Sequence, residues 1–187
     1  MTVYQILQLE GDFIEVCDEC GFDGVLVNMD DAAAQFRGLK DRWSLVFTHS
    51  EVLLRARPTP ETWCAIEYAQ HTAAIIGAIE WAARLYVDGR SADWTQLPQD
   101  LAGEFDHAHH ACERFDLTST LDTLGSAAIS MASFAINLTT DEQARTADYS
   151  GGLVMSIAAV VRHALHDAEH HLLDIRRGLA RLQLPAT

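Results

Sequence analysis

Apolar residues recur at three- and four-residue intervals through most of the chain, and strand-like alternation is almost absent. This spacing predicts helices. The first is expected to begin at Asp30 or Asp31, since aspartate is a good N-cap, and to continue to about Arg55. The two prolines of Arg57-Pro-Thr-Pro60 would then end it.

The same periodicity predicts three more helices, which run from Thr59 or Thr62 to Val87, from Thr118 or Ser119 to Leu138, and from Leu153 to Leu182. Residues 139–152 are predicted to be a loop. Residues 1–29 are interrupted by glycines and are expected to be an irregular lead-in with one short helix at most. Four long helices predict an all-α fold, a four-helix bundle over residues 30–183 of a single domain spanning residues 1–187.

Composition narrows the class of protein. The 187 residues are 49% hydrophobic and 21% charged, which is typical of a globular chain. The formal net charge of −14 argues against partners rich in phosphate, namely nucleic acid and anionic membrane surfaces. No apolar run approaches the roughly 20 residues of a membrane span, and the N-terminus lacks the basic region of a signal peptide. We therefore expect a cytoplasmic protein.

Four cysteines, Cys17, Cys20, Cys64 and Cys112, are expected to be reduced, because nothing in the chain indicates secretion. The Cys17-x2-Cys20 pair has the spacing of one half of a zinc site. A second Cys-x2-Cys pair is missing, so the two are interpreted as local turn or packing cysteines. On this interpretation the two cysteines bind no metal ion of their own, and any metal content would be about one ion per chain.

The candidate chemistry lies near the C-terminus, in His163-Ala-Leu-His166-Asp-Ala-Glu-His170-His171. Histidine is the commonest transition-metal ligand, and residues four apart on a helix point the same way. His166 and His170 could therefore bind one ion, with His71 on the second helix as the best candidate for a third ligand. His107, His109 and His110 are rivals for that third position, although the acidic residues around them indicate a solvated segment.

The alternative is that these histidines are surface or hydrogen-bonded residues, which is the commoner role of a histidine in a helix. On a helical wheel His166 and His170 lie beside the main apolar stripe of the last helix rather than within it. That position suits an ion at the rim of the bundle, open to a cleft. An open coordination position is what a catalytic metal needs and a structural metal lacks.

Two segments together resemble the DinB-like superfamily, which includes mycothiol-dependent maleylpyruvate isomerases. They are Trp63-Cys-Ala-Ile-Glu-Tyr-Ala-Gln-His71 and Arg162-His-Ala-Leu-His166-Asp-Ala-Glu-His170-His-Leu-Leu-Asp174. Cys17-x-x-Cys20-Gly-Phe-Asp is also similar to some bacterial members. The resemblance covers about residues 30–183. It implies a four-helix bundle that holds a divalent ion, usually zinc or nickel, through His71, His166 and His170.

One departure from the family pattern matters for the activity. In the isomerase branch the first residue of the pair on the last helix is a glutamate, whereas the predicted pair here begins with His166. The leading expectation is therefore a metal-dependent enzyme of the small-thiol transferase or isomerase type rather than a maleylpyruvate isomerase. Mycothiol, bacillithiol or a related thiol would attack a small electrophilic substrate. His163, Asp167 and Glu169 are candidates for outer-shell or proton-transfer groups.

Two other functions fit the same residues. An activated water would make the protein a metal-dependent hydrolase, and an ion that only joins two helices would make it a non-catalytic binding or stress-linked protein. Imidazole ligands favour zinc, with nickel or iron(II) able to use the same site. Apolar helix faces in bundles often support dimers, so a homodimer is among the expected states.

Overall fold

The computed structural model of the protein describes residues 4–9, 12–99, 101, 112, 115–150 and 152–183. Its helices are α1 Met29–Arg37, α2 Leu39–Val46, α3 Glu51–Arg55, α4 Ala65–Val87, α5 Leu117–Ile136, α6 Thr140–Ala144 and α7 Ile157–Gln183, with a 3-10 turn at Trp94–Gln96. The strands are β1 Tyr4–Leu9, β2 Asp12–Cys17, β3 Phe22–Asp23, β4 Thr146–Ser150 and β5 Leu153–Ser156. His107, His109 and His110 lie outside the described residues.

The long helices form a four-helix bundle, as the sequence predicts. α4 packs against both α5 and α7, and α1 packs against the same two helices from the other side. The order around the bundle is therefore α1, α5, α4, α7. Its interior is one cluster of apolar side chains with fully buried large residues such as Trp43, Leu124 and Leu165. No helix within the described ranges is long and apolar enough to cross a membrane.

Local capping sets where the helices begin. α1 starts at Met29 because Asn28 accepts a hydrogen bond from the Asp31 amide, so Asn28 is the N-cap in place of the predicted Asp30 or Asp31. Asp116 does the same for α5 by accepting from the Ser119 amide at 2.9 Å. The predicted boundaries therefore differ from the observed ones by a few residues.

The predicted first helix is three helices rather than one. Gly38 ends α1 and begins α2, and the Arg42 guanidinium lies 2.9 Å from where a Cβ of Gly38 would be. Ser50 then begins α3 by accepting a hydrogen bond from the Leu53 amide. Periodicity does not register these interruptions, because the apolar spacing continues across them.

The expected irregular lead-in contains a small antiparallel sheet in the order β1-β2-β3. Tyr4 pairs with Cys17 at one end of the β1–β2 ladder, and Cys17 pairs with Phe22 in β3. The predicted loop over residues 139–152 instead contains the short helix α6 and the strand β4, which pairs with β5 in a second hairpin. α7 consequently begins at Ile157 instead of Leu153, since residues 153–156 are paired in β5. β2 packs against α7 and β5, which places this sheet on the bundle.

The expectation of four reduced cysteines is wrong for two of them. Cys64 and Cys112 form a disulfide, whereas Cys17 and Cys20 are free thiols. Arg55 holds the second cysteine in place, because its guanidinium donates to the backbone carbonyls of Cys112 and Phe115. Residues 48 apart in sequence are thereby brought together at the N-terminus of α4, a contact that sequence spacing does not reveal.

We predict that Glu67→Gln destabilises the bundle. Glu67 is fully buried, forms an ion pair with Arg57, and accepts a hydrogen bond from the Cys64 amide at 2.8 Å. An amide keeps the size of the side chain but removes the charge, so denaturant unfolding should show a loss of about 1.5–3 kcal/mol. Glu61→Gln, at an exposed position nearby, is the control and should change stability by less than about 0.5 kcal/mol. Equal effects of the two variants would contradict the prediction.

Candidate metal centres on helix α7

Two groups of potential metal ligands lie side by side along α7, which contributes two residues to each group. The ligand atoms of His71, Asp167 and His171 are all within 4.8 Å of one another. The same holds for a second group, which consists of Cys17, Cys20, His166 and His170. We call these the His71 group and the Cys17 group.

The predicted ligands His71, His166 and His170 are divided between these groups. His71 lies with Asp167 and His171, whereas His166 and His170 lie with the two cysteines. The reason is helical geometry, because each residue along α7 is rotated by about 100° from the one before. His166 and His170 therefore face the β2–β3 hairpin, and the next residue after each of them faces α4. The structure therefore places His71 beside Asp167 and His171, and places His166 and His170 beside the two cysteines.

The His71 group joins α4 to α7. The His171 Nε2 atom lies 3.5 Å from Asp167 Oδ1, one helical turn earlier. Its other ring nitrogen, Nδ1, lies 3.4 Å from Asp174 Oδ2 and can donate a proton to it. Asp174 thus favours the tautomer in which Nε2 of His171 is a lone-pair donor directed at the group.

Aromatic rings surround the His71 group. The centre of the Trp63 ring is 4.7 Å from that of His71, and the centre of the Tyr68 ring is 5.1 Å from that of His171. Burial lowers the pKa of His71, the negative charge of Asp167 opposes this, and His171 adds to the lowering. The net effect is a pKa below the usual value, so His71 is neutral and able to bind a metal at neutral pH.

The Cys17 group joins the β2–β3 hairpin to α7. Cys17 is buried at the end of β2, and its Sγ atom lies 3.6 Å from Nδ1 of His170. The ring of Phe22, in β3, stacks on that of His166 with centres 4.8 Å apart. Glu19, between the two cysteines, forms an ion pair with Arg177 further along α7. The hairpin turn is therefore held against the helix on both sides of the thiols.

Glu15 connects the hairpin to two histidines. This carboxylate is buried and accepts from Nδ1 of His163 at 2.9 Å and from Nδ1 of His166 at 3.1 Å. Burial by itself lowers the pKa of both rings, but the hydrogen bonds and charge of Glu15 raise each pKa above the usual value. With Nδ1 bonded to Glu15, the Nε2 atom of His166 is the ring nitrogen that would act as a ligand.

The two thiols have different acidities. Burial raises the pKa of Cys17, but hydrogen bonds from the Cys20 amide and from His166 outweigh it and lower that pKa to about 6. Burial raises the pKa of Cys20 to about 11, and the hydrogen bond and charge of Cys17 contribute to the increase. Cys17 is therefore the thiolate of the pair at neutral pH.

A cleft of about 320 Å³ opens beside the Cys17 group. Its lining is acidic and imidazole-rich, and consists of Glu15, Cys17, Glu19, His163, His166, Asp167 and His170. Asp167 is also a member of the His71 group, so one carboxylate is shared by the cleft and that group. This agrees with the predicted position at the rim of the bundle, next to open space.

A third set of ligand types, Cys64, Glu67 and Cys112, also comes together. Its two sulfur atoms are joined in the disulfide, and Glu67 is occupied by Arg57. This set therefore lacks the thiolates that a metal ion would require.

No family model matches the chain, and no curated protein matches it either. A solved structure does. YfiT from Bacillus subtilis, described as a probable metal-dependent hydrolase with an unusual four-helix bundle topology, superposes with a TM-score of 0.64 over 84% of this chain and 89% of its own. The chain has the fold of YfiT. With 12% sequence identity, the likeness establishes the fold and leaves the chemistry to the residues.

Sequence reasoning did not include His171 among the candidate ligands and considered Asp167 only as an outer-shell group. A signal was present, because Asp167 and His171 are also four apart and form a second aligned pair one residue later on the same helix. No local spacing in the sequence indicated that Glu15 binds His163 and His166, because it precedes them by about 150 residues.

We predict that Asp167 controls the protonation of His71. In metal-free protein, an NMR titration of the histidine ring protons should give His71 a pKa below that of a free histidine. Asp167→Asn should lower it further, because the carboxylate charge favours the protonated ring. Glu169→Gln is the control, since Glu169 pairs with Arg42 instead. A His71 pKa that rises in Asp167→Asn would contradict the prediction.

Proposed function

We propose that the protein is a metal-dependent enzyme whose divalent ion is held by His71, Asp167 and His171. The observation that carries the proposal is the convergence of two imidazoles and one carboxylate from two helices of the bundle within 4.8 Å. Three protein ligands leave one coordination position of the ion free, which is the usual arrangement in a catalytic zinc site. Zinc suits this donor set, and nickel or iron(II) can use it too.

The residues fit such an ion in two further respects. Asp167 Oδ2 is buried and, among the described residues, has no hydrogen-bond partner, which is costly for a carboxylate oxygen unless something else binds it. Asp174 orients the ring of His171 as outer-shell carboxylates commonly orient metal-bound histidines. A divalent ion there would lower the pKa of a water or thiol bound beside it and so supply a nucleophile at neutral pH.

The finer proposal is a small-thiol transferase or isomerase. It rests on the resemblance to DinB-like proteins and on the position of Asp167. When His171 is taken as the second member of the pair on the last helix, the first member is a carboxylate, as in the isomerase branch. The remaining departure from that branch is then an aspartate in place of its glutamate. A thiol such as mycothiol or bacillithiol would enter through the cleft lined by Asp167.

The second candidate is a metal-dependent hydrolase, and the description of YfiT favours it. Both candidates use the same three ligands and differ only in the nucleophile. Trp63 and Tyr68, whose rings flank the two histidines, would form the apolar wall for either substrate. Their contribution would be to exclude water and to position a small organic molecule.

We predict that His71→Ala, Asp167→Ala and His171→Ala each remove one ion. The affinity for zinc should fall by more than about 100-fold, beyond the 10–100-fold that loss of an outer-shell partner costs. Helical circular dichroism should remain. The measurement is metal content by elemental analysis of protein purified without a metal-affinity tag, and His49→Ala, a histidine at the end of α2, is the control.

This series also separates the two ligand assignments. If one ion were bound by His71, His166 and His170, then Asp167→Ala and His171→Ala would keep it and the proposal would fail. Under the proposed assignment His166→Ala leaves the ion at the His71 group in place.

We further predict that turnover requires the metal, and that the conditions under which it occurs identify the nucleophile as a thiol or a water. The metal-loaded protein is assayed with an electrophilic probe and with an activated ester, each with and without mycothiol or bacillithiol. Activity only with the thiol supports the transferase, and ester cleavage without thiol supports the hydrolase. Either activity should disappear in Asp167→Ala. A protein that loses stability on chelation but turns over neither probe would be the non-catalytic bundle.

A further inference from the structure

We propose that Cys17, Cys20, His166 and His170 form a second metal site, a structural zinc site that attaches the β2–β3 hairpin to α7. The site is distinct from the His71 group and does not depend on the proposed activity. The sequence has no second Cys-x2-Cys pair to complete a zinc site with Cys17 and Cys20. In the proposed site the other two ligands are instead the His-x3-His pair of His166 and His170.

The donor set is that of structural zinc. Two thiolates and two imidazoles neutralise the charge of the ion and complete a tetrahedral shell, as in Cys2His2 sites. Each pair also has the required spacing, since Cys17 and Cys20 are separated by two residues and His166 and His170 by three. All four ligand atoms already lie within 4.8 Å of one another.

One interatomic distance bears on the geometry directly. Zn–S bonds of about 2.3 Å and Zn–N bonds of about 2.0–2.1 Å at a tetrahedral angle place the sulfur and nitrogen about 3.6 Å apart. The Cys17 Sγ to His170 Nδ1 distance is 3.6 Å. The sulfur and the ring nitrogen therefore lie at the separation of two ligands on one zinc ion.

The turn between the cysteines has the form that such a site needs. The Gly21 amide donates to the Cys17 carbonyl at 2.9 Å, which closes the turn so that both thiols face the same side. Gly21 has a φ of 75°, a left-handed conformation that glycine adopts without strain. Cys17 then pairs with Phe22 in the β2–β3 ladder, so the ligands sit at the tip of a fixed hairpin.

A carboxylate orients the imidazole of His166, and another lies near that of His170. Nδ1 of His166 donates to Glu15 at 3.1 Å, which directs Nε2 of that ring to the thiols. His170 has the opposite arrangement, with Nδ1 at the thiol and Nε2 4.0 Å from Asp174. Pairing of the distal ring nitrogen with a carboxylate is the usual outer shell of zinc-bound histidine.

Zinc at this site would act on the neighbouring His71 group. His166 and His170 are each followed in the chain by a member of that group, Asp167 and His171. Asp174 lies near the rings of both His170 and His171. Fixing α7 to the hairpin would therefore fix the rotation at which the other two ligands meet His71.

The test replaces the metal with Co²⁺ in the reduced full-length protein, purified without a metal-affinity tag. Thiolate ligands give sulfur-to-cobalt charge-transfer bands in the near ultraviolet, and a tetrahedral ion gives intense visible bands. Both should appear in the wild type and persist in His71→Ala, because the His71 group contains no sulfur. Failure of the proposed activity would leave these bands unchanged.

Two pairs of substitutions complete the experiment. Changing Cys17 and Cys20 to serine should abolish the charge-transfer bands and lower the zinc content by about one ion per chain. Changing Cys64 and Cys112 to serine removes the same number of cysteines and should leave the bands and the zinc content unchanged.

Bound cobalt without charge-transfer bands would overturn the proposal, as would an unchanged zinc content after the loss of Cys17 and Cys20. The proposal would also be overturned if Cys17 and Cys20 formed a disulfide and took up no metal even under reducing conditions. If the Cys17 and Cys20 serine variant does not fold, the cobalt spectrum of the Cys64 and Cys112 serine variant decides the question, because Cys17 and Cys20 are then the remaining cysteines of the chain.

Discussion

The carboxylate of Glu15 fixes the hairpin to the last helix of the bundle. It is buried, and it accepts hydrogen bonds from two histidines one helical turn apart on α7. A buried charge requires such partners, so the hairpin and the helix take one relative position. That position brings Cys17 to His170 and leaves the opposite side of the same turns free to face α4.

The rotation of α7 then assigns each polar side chain to a neighbour. Adjacent residues on a helix differ by about 100°, so one turn can serve two different partners. His166 and His170 lie beside the cysteines of the hairpin, while Asp167 and His171 lie beside His71 on α4. Asp174 lies close to a histidine of each group. A single helical segment thus contributes side chains to two different groups of potential metal ligands.

Periodicity predicted the bundle well and its additions poorly. The spacing of apolar residues gave four long helical regions, and the end of α4 at Val87 was predicted correctly. The three-stranded sheet was not predicted, because short strands near glycines carry little pattern of their own. The breaks near Gly38 and Ser50 were missed for a related reason, since neither the glycine between α1 and α2 nor the side-chain cap of Ser50 alters the apolar spacing.

The sequence by itself determined the helical class, the polar segment of α7 and the presence of paired residues at metal-ligand spacing. Only the tertiary structure decided which pairs meet, because a rotation of one residue exchanges His166 for Asp167 as the neighbour of α4. It also decided that Cys17 and Cys20 lie beside two histidines about 150 residues away. Contacts at such separations depend on how the elements pack, and no local spacing encodes them.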